Sequence, residues 1–177
     1  MLDIAQNSVS AGASLIEIFL AADTRADCMS IEIKDNGRGM SEDFLKRITD
    51  PFTTTRTTRK VGMGIPLFKY SAESAGGSFS IRSQKGAGTA VKASYKISHI
   101  DRMPLGDMES TLTTLISMSP DIDFVFKADI DGTEAALDTR EMREVLGDEA
   151  ELNNPEILDF IKNYIKENIS VLYGGIL

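Results

Sequence analysis

Two glycines one residue apart, Gly62 and Gly64, stand directly before a predicted helix that ends near Gly76. Glycine lets a backbone come close to a ligand, and the N-terminus of a helix attracts anions such as phosphate. Pro66 suits the first turn of this helix. The same G-x-G spacing occurs in ordinary turns, so it predicts a phosphate site only in combination with its neighbours.

Asp3 and Asn7 are four residues apart on a predicted helix over residues 2–13. This spacing places both side chains on one helical face, one turn apart. They form either a solvated polar face or a carboxylate base beside a magnesium-binding amide. The predicted apolar stripe of this helix consists of Leu2, Ala5 and Val9. Because the helix begins almost at residue 1, an element that precedes it is expected to be absent from this sequence.

A D-x-G-x-G turn, Asp35 to Gly39, follows a predicted strand over residues 29–34. A carboxylate at the end of a strand can accept a hydrogen bond from an exocyclic amine, and the glycines would let the backbone lie against a flat ring. A plain turn around Asn36-Gly37 would have the same sequence. The turn alone leaves both interpretations open.

Strands and helices alternate around these residues. Residues 15–20 and 29–34 are predicted to form a hairpin, and Ser41 caps a short helix. The polar, basic run over residues 53–60 fits either a lid over phosphates or a disordered loop. Two more strands are predicted at residues 78–83 and 89–97.

Composition excludes several classes of protein. The chain has 177 residues, of which 42% are hydrophobic and 26% charged, which predicts one or two globular domains. A net charge of −8 argues against a nucleic-acid surface, and the sequence shows no apolar run long enough to span a membrane. Cys28 and His99 are the single residues of their types, which excludes an intramolecular disulfide and argues against zinc. A reducing cytoplasm is the expected location.

Together, these motifs resemble the nucleotide-binding boxes of the GHKL superfamily, which includes sensor histidine kinases, DNA gyrase B, MutL and the ninety-kilodalton heat-shock chaperones. The matching segments, in the family's order, are N-x-x-x-A-G-A at Asn7, D-N-G-R-G-M at Asp35, D-P-F-T-T-T-R at Asp50, G-M-G-I at Gly62 and G-G-S-F-S-I-R-S-Q-K-G-A-G-T at Gly76. The resemblance covers residues 1 to about 98 and is strongest to histidine kinases in its second half. It implies a two-layer α/β sandwich, with helices on one face of a mixed, largely antiparallel sheet.

The resemblance also implies ATP and Mg²⁺ as cofactors. Asn7 would bind the magnesium, Asp35 would accept a hydrogen bond from the adenine amine, and Thr89 would support that end through Asp35. Arg56 would neutralise phosphate charge, although Arg59 and Lys60 compete for this role. The remaining predicted nucleotide-binding residues lie along the glycine-containing backbone: Gly37, Gly39, Met40, Gly62, Met63, Gly64 and Ile65.

Two departures from the family pattern bear on the chemistry. Asp3 stands where hydrolytic relatives and serine-type kinases carry glutamate and where histidine kinases carry asparagine or histidine. An aspartate could still act as a general base, with a reach one methylene shorter. Ser10 stands where MutL-like relatives carry aspartate. Asp3 is therefore the predicted catalytic residue, and hydrolysis remains an open question.

The resemblance stops after Ser98. Residues 99–177 are predicted to form an α-β-β-α-α appendage that either extends the sheet or packs as a separate layer, and no catalytic constellation stands out in it. The predicted apolar stripe of its last helix is assigned to the core rather than to an interface. The stretch from His99 to Leu105 imitates a histidine-kinase phosphoacceptor box with the acid one place late. We expect His99 not to be a phosphoacceptor.

The sequence therefore predicts an Mg-ATP-binding module that either phosphorylates a protein partner or hydrolyses ATP as a conformational switch. The alternative is a non-catalytic, nucleotide-responsive interaction module. A protein partner is expected in either case, a homodimer is compatible with the resemblance, and neither nucleic acid nor membrane is expected as a partner.

Overall fold

A computed structural model describes residues 1–49, 64–147 and 151–173. Within these residues, six strands form one sheet in the order β3-β4-β2-β1-β5-β6. Their bounds are β1 Leu15–Asp23, β2 Cys28–Asp35, β3 Phe79–Gln84, β4 Gly88–Lys96, β5 Asp123–Ile130 and β6 Thr133–Asp138.

The helices in the described residues occupy both the N-terminal part and the appendage. They are α1 Leu2–Ser10, α2 Glu42–Thr49, α3 Gly64–Ser74, α4 Met108–Met118, α5 Thr139–Leu146, α6 Pro155–Ile165, a π-helical segment Lys166–Ser170 and a last turn α7 Val171–Tyr173. In the part of the chain that is described, none of these helices is both long and apolar enough to cross a membrane.

The predicted hairpin is confirmed, because β1 and β2 pair antiparallel from Ile16–Asp35 to Asp23–Cys28. Residues of β1 alternate between buried and accessible positions, as expected for a sheet with one covered face. On the accessible face, Glu32 pairs with Lys34 at 3.8 Å and with Arg82 at 3.6 Å. The helices therefore pack against the buried face, on one side of the sheet.

The appendage extends the sheet rather than forming a separate layer. β5 pairs parallel to β1, while the other strand pairs are antiparallel, so the sheet is mixed and largely antiparallel as predicted. The hydrophobic core is continuous across both parts of the chain and includes Ile18 of β1, Phe126 of β5 and Leu115 of α4.

The helices over this core contact both the sheet and one another. α1 contacts β2, α3 and α4, and α3 also contacts β3 and β4. The sequence predicts an amphipathic α4 whose apolar face is Met108, Leu112, Leu115 and Ile116, and these four residues are buried. Of the predicted stripe in the last helical region, Ile161 and Ile165 are buried, and Ile157, Tyr164 and Leu172 are partly buried against the core, which confirms that the stripe belongs to the core.

Two helix predictions need correction. α1 buries Ile4, Ala5 and Ser8, whereas Leu2 and Val9 are only partly buried, so its core face is rotated from the predicted stripe. The sequence favours Thr139 as the cap of α5, since threonine is a common capping residue, but the cap is Asp138, because its carboxylate accepts from the Arg140 N–H at 2.9 Å. The Thr139 hydroxyl accepts instead from the Phe124 N–H at 2.8 Å, which ties α5 to β5.

Candidate nucleotide-binding site

Asp35 is the last residue of β2, and its partner across the ladder to β4 is Thr89. Its carboxylate is held on both oxygens. Oδ2 accepts from the Ser8 hydroxyl at 2.7 Å, and Oδ1 accepts from the Gly37 N–H at 2.9 Å. The side chain is therefore fixed in position at the junction of α1, β2 and the turn that follows β2.

Ser8 is a site residue that the sequence interpretation missed. It is only 4% exposed and is one of two buried polar residues in the described chain. A carboxylate can only accept, so the Ser8 hydroxyl donates its proton to Asp35. The sequence did contain a sign of this role, because Ser8 lies one helical turn after the apolar Ile4. A polar residue on an apolar helical face usually has a buried hydrogen-bond partner.

The turn after β2 is shaped by contacts within the protein. The Asn36 side-chain oxygen accepts from the Ser14 and Leu15 N–H groups at 2.9 and 3.0 Å, which joins this turn to the start of β1. Gly39 has φ +60, and a Cβ there would lie 1.9 Å from the Gln84 carbonyl oxygen. A Cβ at Gly37 would lie 3.0 Å from Ala11. Gly39 is thus required by packing, and a side chain at Gly37 would crowd Ala11, whether or not a base also approaches these residues.

A second hydrogen-bonded group connects the turn after β2 with the β3–β4 turn. The Met40 N–H donates to the Ser83 hydroxyl oxygen at 2.8 Å, and the Ser83 hydroxyl donates to the Gly88 carbonyl at 2.9 Å. The Thr89 hydroxyl lies 3.0 Å from the same Ser83 oxygen. Two segments that are distant in sequence therefore meet beside Asp35.

These groups line a cleft of about 710 Å³ between α1, α2, the start of α3 and the end of the sheet. Six of the predicted binding residues line it: Asn7, Asp35, Gly39, Met40, Ile65 and Thr89. Arg56, Gly62 and Met63 lie outside the described residues. The volume is in the range of small-molecule sites.

Asp3 lies on the same helix as Asn7, against the first residue of α3. A Cβ at Gly64 would come within 2.8 Å of the Asp3 Cβ and 3.6 Å of its Oδ2. Gly64 therefore lets α1 and α3 approach closely, and this approach places Asp3 at the N-terminus of α3. Such a helix end carries free N–H groups and a positive partial charge.

The sequence interpretation also missed part of the cleft wall. Phe44 and Ile48 of α2 supply apolar surface, and Arg38, Arg47 and Lys85 add positive charge. The Arg47 guanidinium lies 5.7 Å from the centroid of the Phe44 ring. A cleft with apolar walls, cations and a fixed carboxylate can accommodate a flat, partly polar ligand that carries negative charge.

A second cavity, of about 590 Å³, lies at the opposite end of the sheet between the β1–β2 and β5–β6 turns. There Asp131 accepts from the Thr24 N–H and hydroxyl, each at 2.8 Å, and the backbone bond from Thr24 holds the pKa of Asp131 below its usual value. These bonds hold the two hairpins together, which accounts for Asp131 and Thr24 without a ligand.

This fold and its cleft belong to a known class of ATPase domain. The chain matches the model of the histidine kinase-, DNA gyrase B-, and HSP90-like ATPase family over residues 1–99, and it belongs to that family. It is an ATPase-type domain of the histidine-kinase kind.

Two of the curated relatives are named as kinases. The chain is 32% identical over 107 residues to the autoinducer 2 sensor kinase/phosphatase LuxQ of Vibrio parahaemolyticus, which covers 58% of this chain and 11% of that protein. It is 40% identical over 63 residues to sporulation kinase E of Bacillus subtilis, covering 36% of this chain and 8% of that protein. The chain thus spans about a tenth of the length of these relatives.

Among solved structures, the MutL ATPase domain of Aquifex aeolicus in complex with ADP is similar over 82% of this chain and 66% of its own, with 16% identity and a TM-score of 0.45.

Proposed function

We propose that this chain binds Mg-ATP in the cleft beside Asp35 and uses it in the cytoplasm, either to phosphorylate a protein partner or to hydrolyse ATP as a conformational switch. The observation that carries the proposal is the Asp35 carboxylate, fixed by Ser8 and the Gly37 N–H at the end of a cleft. Membership in the ATPase family and the similarity to sensor kinases support it.

At the adenine end, Asp35 would accept a hydrogen bond from the exocyclic amine. Each carboxylate oxygen can accept more than one hydrogen bond, so the bonds from Ser8 and Gly37 leave acceptor capacity for a ligand. Met40 and Phe44 would pack against the flat ring. This arrangement explains why a charged residue stands at a strand end beside apolar side chains.

At the phosphate end, the helix N-terminus at Gly64 would receive the triphosphate, and Gly62 and Arg56 are proposed to contribute there. Asn7 would hold Mg²⁺. Among the described residues, no three acidic, histidine or cysteine side chains lie close enough to form a metal cage. Magnesium commonly uses one or two protein oxygens together with substrate phosphates, so a single exposed amide fits this ion. When bound, the ion would neutralise phosphate charge.

Asp3 is the proposed general base. Its exposed carboxylate lies beside Gly64, at the helix end proposed to receive phosphate. There it could take a proton from water or from a partner's hydroxyl, and the proton would then reside on the Asp3 carboxylate. Residues 1–98 would form the nucleotide-binding unit, and residues 99–177 would offer a surface to a protein partner.

The test is nucleotide-dependent thermal stability of the whole chain. With Mg-ATP at about 100 times its Kd, mass action stabilises the folded protein by about 2.7 kcal/mol. Loss of a hydrogen bond to a charged group costs about 1.5–3 kcal/mol, so Asp35→Asn should weaken ATP binding about 10- to 150-fold and remove about half to nine-tenths of this stabilisation.

Asp159→Asn is the matched control, because Asp159 is an exposed aspartate on α6 and should leave the shift intact. An Asp35→Asn protein that retains the full ATP shift would refute the adenine assignment. Stabilisation by ATP without ADP formation or label transfer would favour the non-catalytic interaction module over an enzyme.

A further inference from the structure

Ser83, the penultimate residue of β3, makes three polar contacts through its one hydroxyl group. Its oxygen accepts from the Met40 N–H, its proton goes to the Gly88 carbonyl, and the Thr89 hydroxyl lies 3.0 Å away. Met40 and Thr89 line the cleft, whereas Ser83 lies behind them. Ser83 therefore acts on the cleft only through its neighbours.

The direction of the Ser83–Thr89 bond follows from proton counting. A serine hydroxyl has one proton and two lone pairs, and a carbonyl oxygen can only accept. Because the Ser83 proton is committed to Gly88, the Thr89 hydroxyl must donate to Ser83 for every contact to be a hydrogen bond. The Thr89 proton is thereby held inside the protein.

The same counting applies to Ser8, whose proton is committed to Asp35. Asp35, Ser8 and Thr89 all line the cleft, and each then presents only lone pairs to it. A ligand edge that donates hydrogen bonds, such as a 6-amino group, would match them. A 6-oxo group at that place would meet acceptors and remain unpaired.

We propose that Ser83 is a specificity-determining positioning residue, which fixes the Thr89 hydroxyl as an acceptor toward the cleft and so penalises 6-oxopurine nucleotides. This inference rests on the proposed function, since it assumes that the purine lies beside Asp35 and Thr89. Without Ser83, the Thr89 hydroxyl can rotate and donate to a 6-oxo group.

The experiment measures the affinities of ATP and ITP for the full chain, because these nucleotides have the same ribose and triphosphate and differ at purine position 6. Wild type should prefer ATP. Ser83→Ala should lower the ATP-to-ITP preference by about tenfold, the usual effect of one mismatched polar contact. Ser83→Thr keeps a hydroxyl and should retain the preference, and Ser80→Ala, at an exposed position on the same strand, is the control.

Thr89→Val tests the same mechanism without touching Ser83, in case Ser83→Ala does not fold. It removes the acceptor and should also lower the preference by about tenfold. If Thr89→Val retains the wild-type preference, or if Ser83→Ala lowers only the melting temperature of the free protein, the inference is overturned while ATP binding stands.

A wild type that binds ATP and ITP equally would likewise overturn the inference alone. A wild type that binds neither nucleotide would overturn the proposed function and this inference together.

Discussion

Replacing Gly88 with alanine is expected to destabilise the protein far more than the same replacement at Gly86, although both glycines lie in the β3–β4 turn region. Gly86 has φ +80 and Gly88 has φ +86, so both substitutions impose left-handed strain on alanine. A Cβ at Gly86 would meet nothing within 4 Å, whereas a Cβ at Gly88 would lie 1.9 Å from the Asp35 carbonyl oxygen. Comparing the two alanine variants therefore separates the cost of backbone strain from the cost of close packing.

The two costs can be estimated separately. Left-handed strain on alanine costs about 1 kcal/mol, which is the whole cost expected at Gly86. At Gly88 the contact atom belongs to the backbone of β2 and cannot rotate away, so about 1–3 kcal/mol of overpacking is added. For a chain of this size, 1 kcal/mol lowers the melting temperature by about 2–4 °C, so Gly86→Ala should lose about 3 °C and Gly88→Ala about 6–12 °C.

Thermal and urea unfolding of the free proteins measure this difference without any assumption about nucleotides. Equal destabilisation of the two variants would show that β2 and the β3–β4 turn do not approach each other as closely as described. If the proposed function holds, Gly88→Ala should also lose its ATP-dependent shift, because the displaced backbone belongs to Asp35, whereas Gly86→Ala should retain it.

Two further predictions concern the chemistry. Asp3→Asn should leave ATP affinity near wild type and lower ADP formation about 10²- to 10⁴-fold, while Asp3→Glu should retain turnover; equal rates in wild type and Asp3→Asn would refute the base assignment. His99 should not acquire label from ATP, because a Cβ built on Gly76, just beyond the far end of α3, would lie 3.2 Å from its ring, and α3 is about 16 Å long from its start at Gly64. Acid-labile label that disappears in His99→Ala but not in Ser98→Ala would contradict this expectation.

Local patterns in the sequence were sufficient for most elements. Alternating residues predict the strands of the hairpin, and Asn154-Pro155 predicts the start of α6, where the Asn154 side chain does accept from the Glu156 N–H at 2.9 Å. The rotated face of α1 was harder to predict, because a short helix with small residues such as Ala5 and Ser8 permits more than one apolar stripe. A hydroxyl can be buried when it has a partner, and the partner of Ser8 is 27 residues away.

The contacts that build the cleft could not be predicted from local sequence patterns either, because they join residues that are distant in sequence. Met40 and Ser83 are 43 residues apart, and nothing in either local sequence specifies that the two turns meet. The parallel pairing of β5 with β1 is longer in range still, since it joins residues such as Leu15 and Asp123. Local propensity predicts that β5 is a strand, whereas the edge at which it joins the sheet depends on the assembled core.

That pairing predicts that residues 1–98 will not fold as a stable unit by themselves. Removing residues 99–177 deletes β5, which pairs with β1 from Leu15–Asp123 to Ala22–Ile130, and turns β1 into an edge strand with unpaired backbone groups. It also deletes the fully buried Phe124, Phe126, Leu112, Leu115 and Ile116.

Each such side chain contributes about 1.5–3 kcal/mol by burial, so their sum is comparable with the total stability of about 5–15 kcal/mol of a typical domain. We therefore expect the 1–98 fragment to lack a cooperative thermal transition and to aggregate, while the full chain unfolds cooperatively. A fragment with the melting temperature of the full chain would show that the appendage is energetically independent. The expected result would instead show that the appendage and the proposed nucleotide site share one core. The strand order supports this, because β1 lies between β5 and the strand that ends in Asp35.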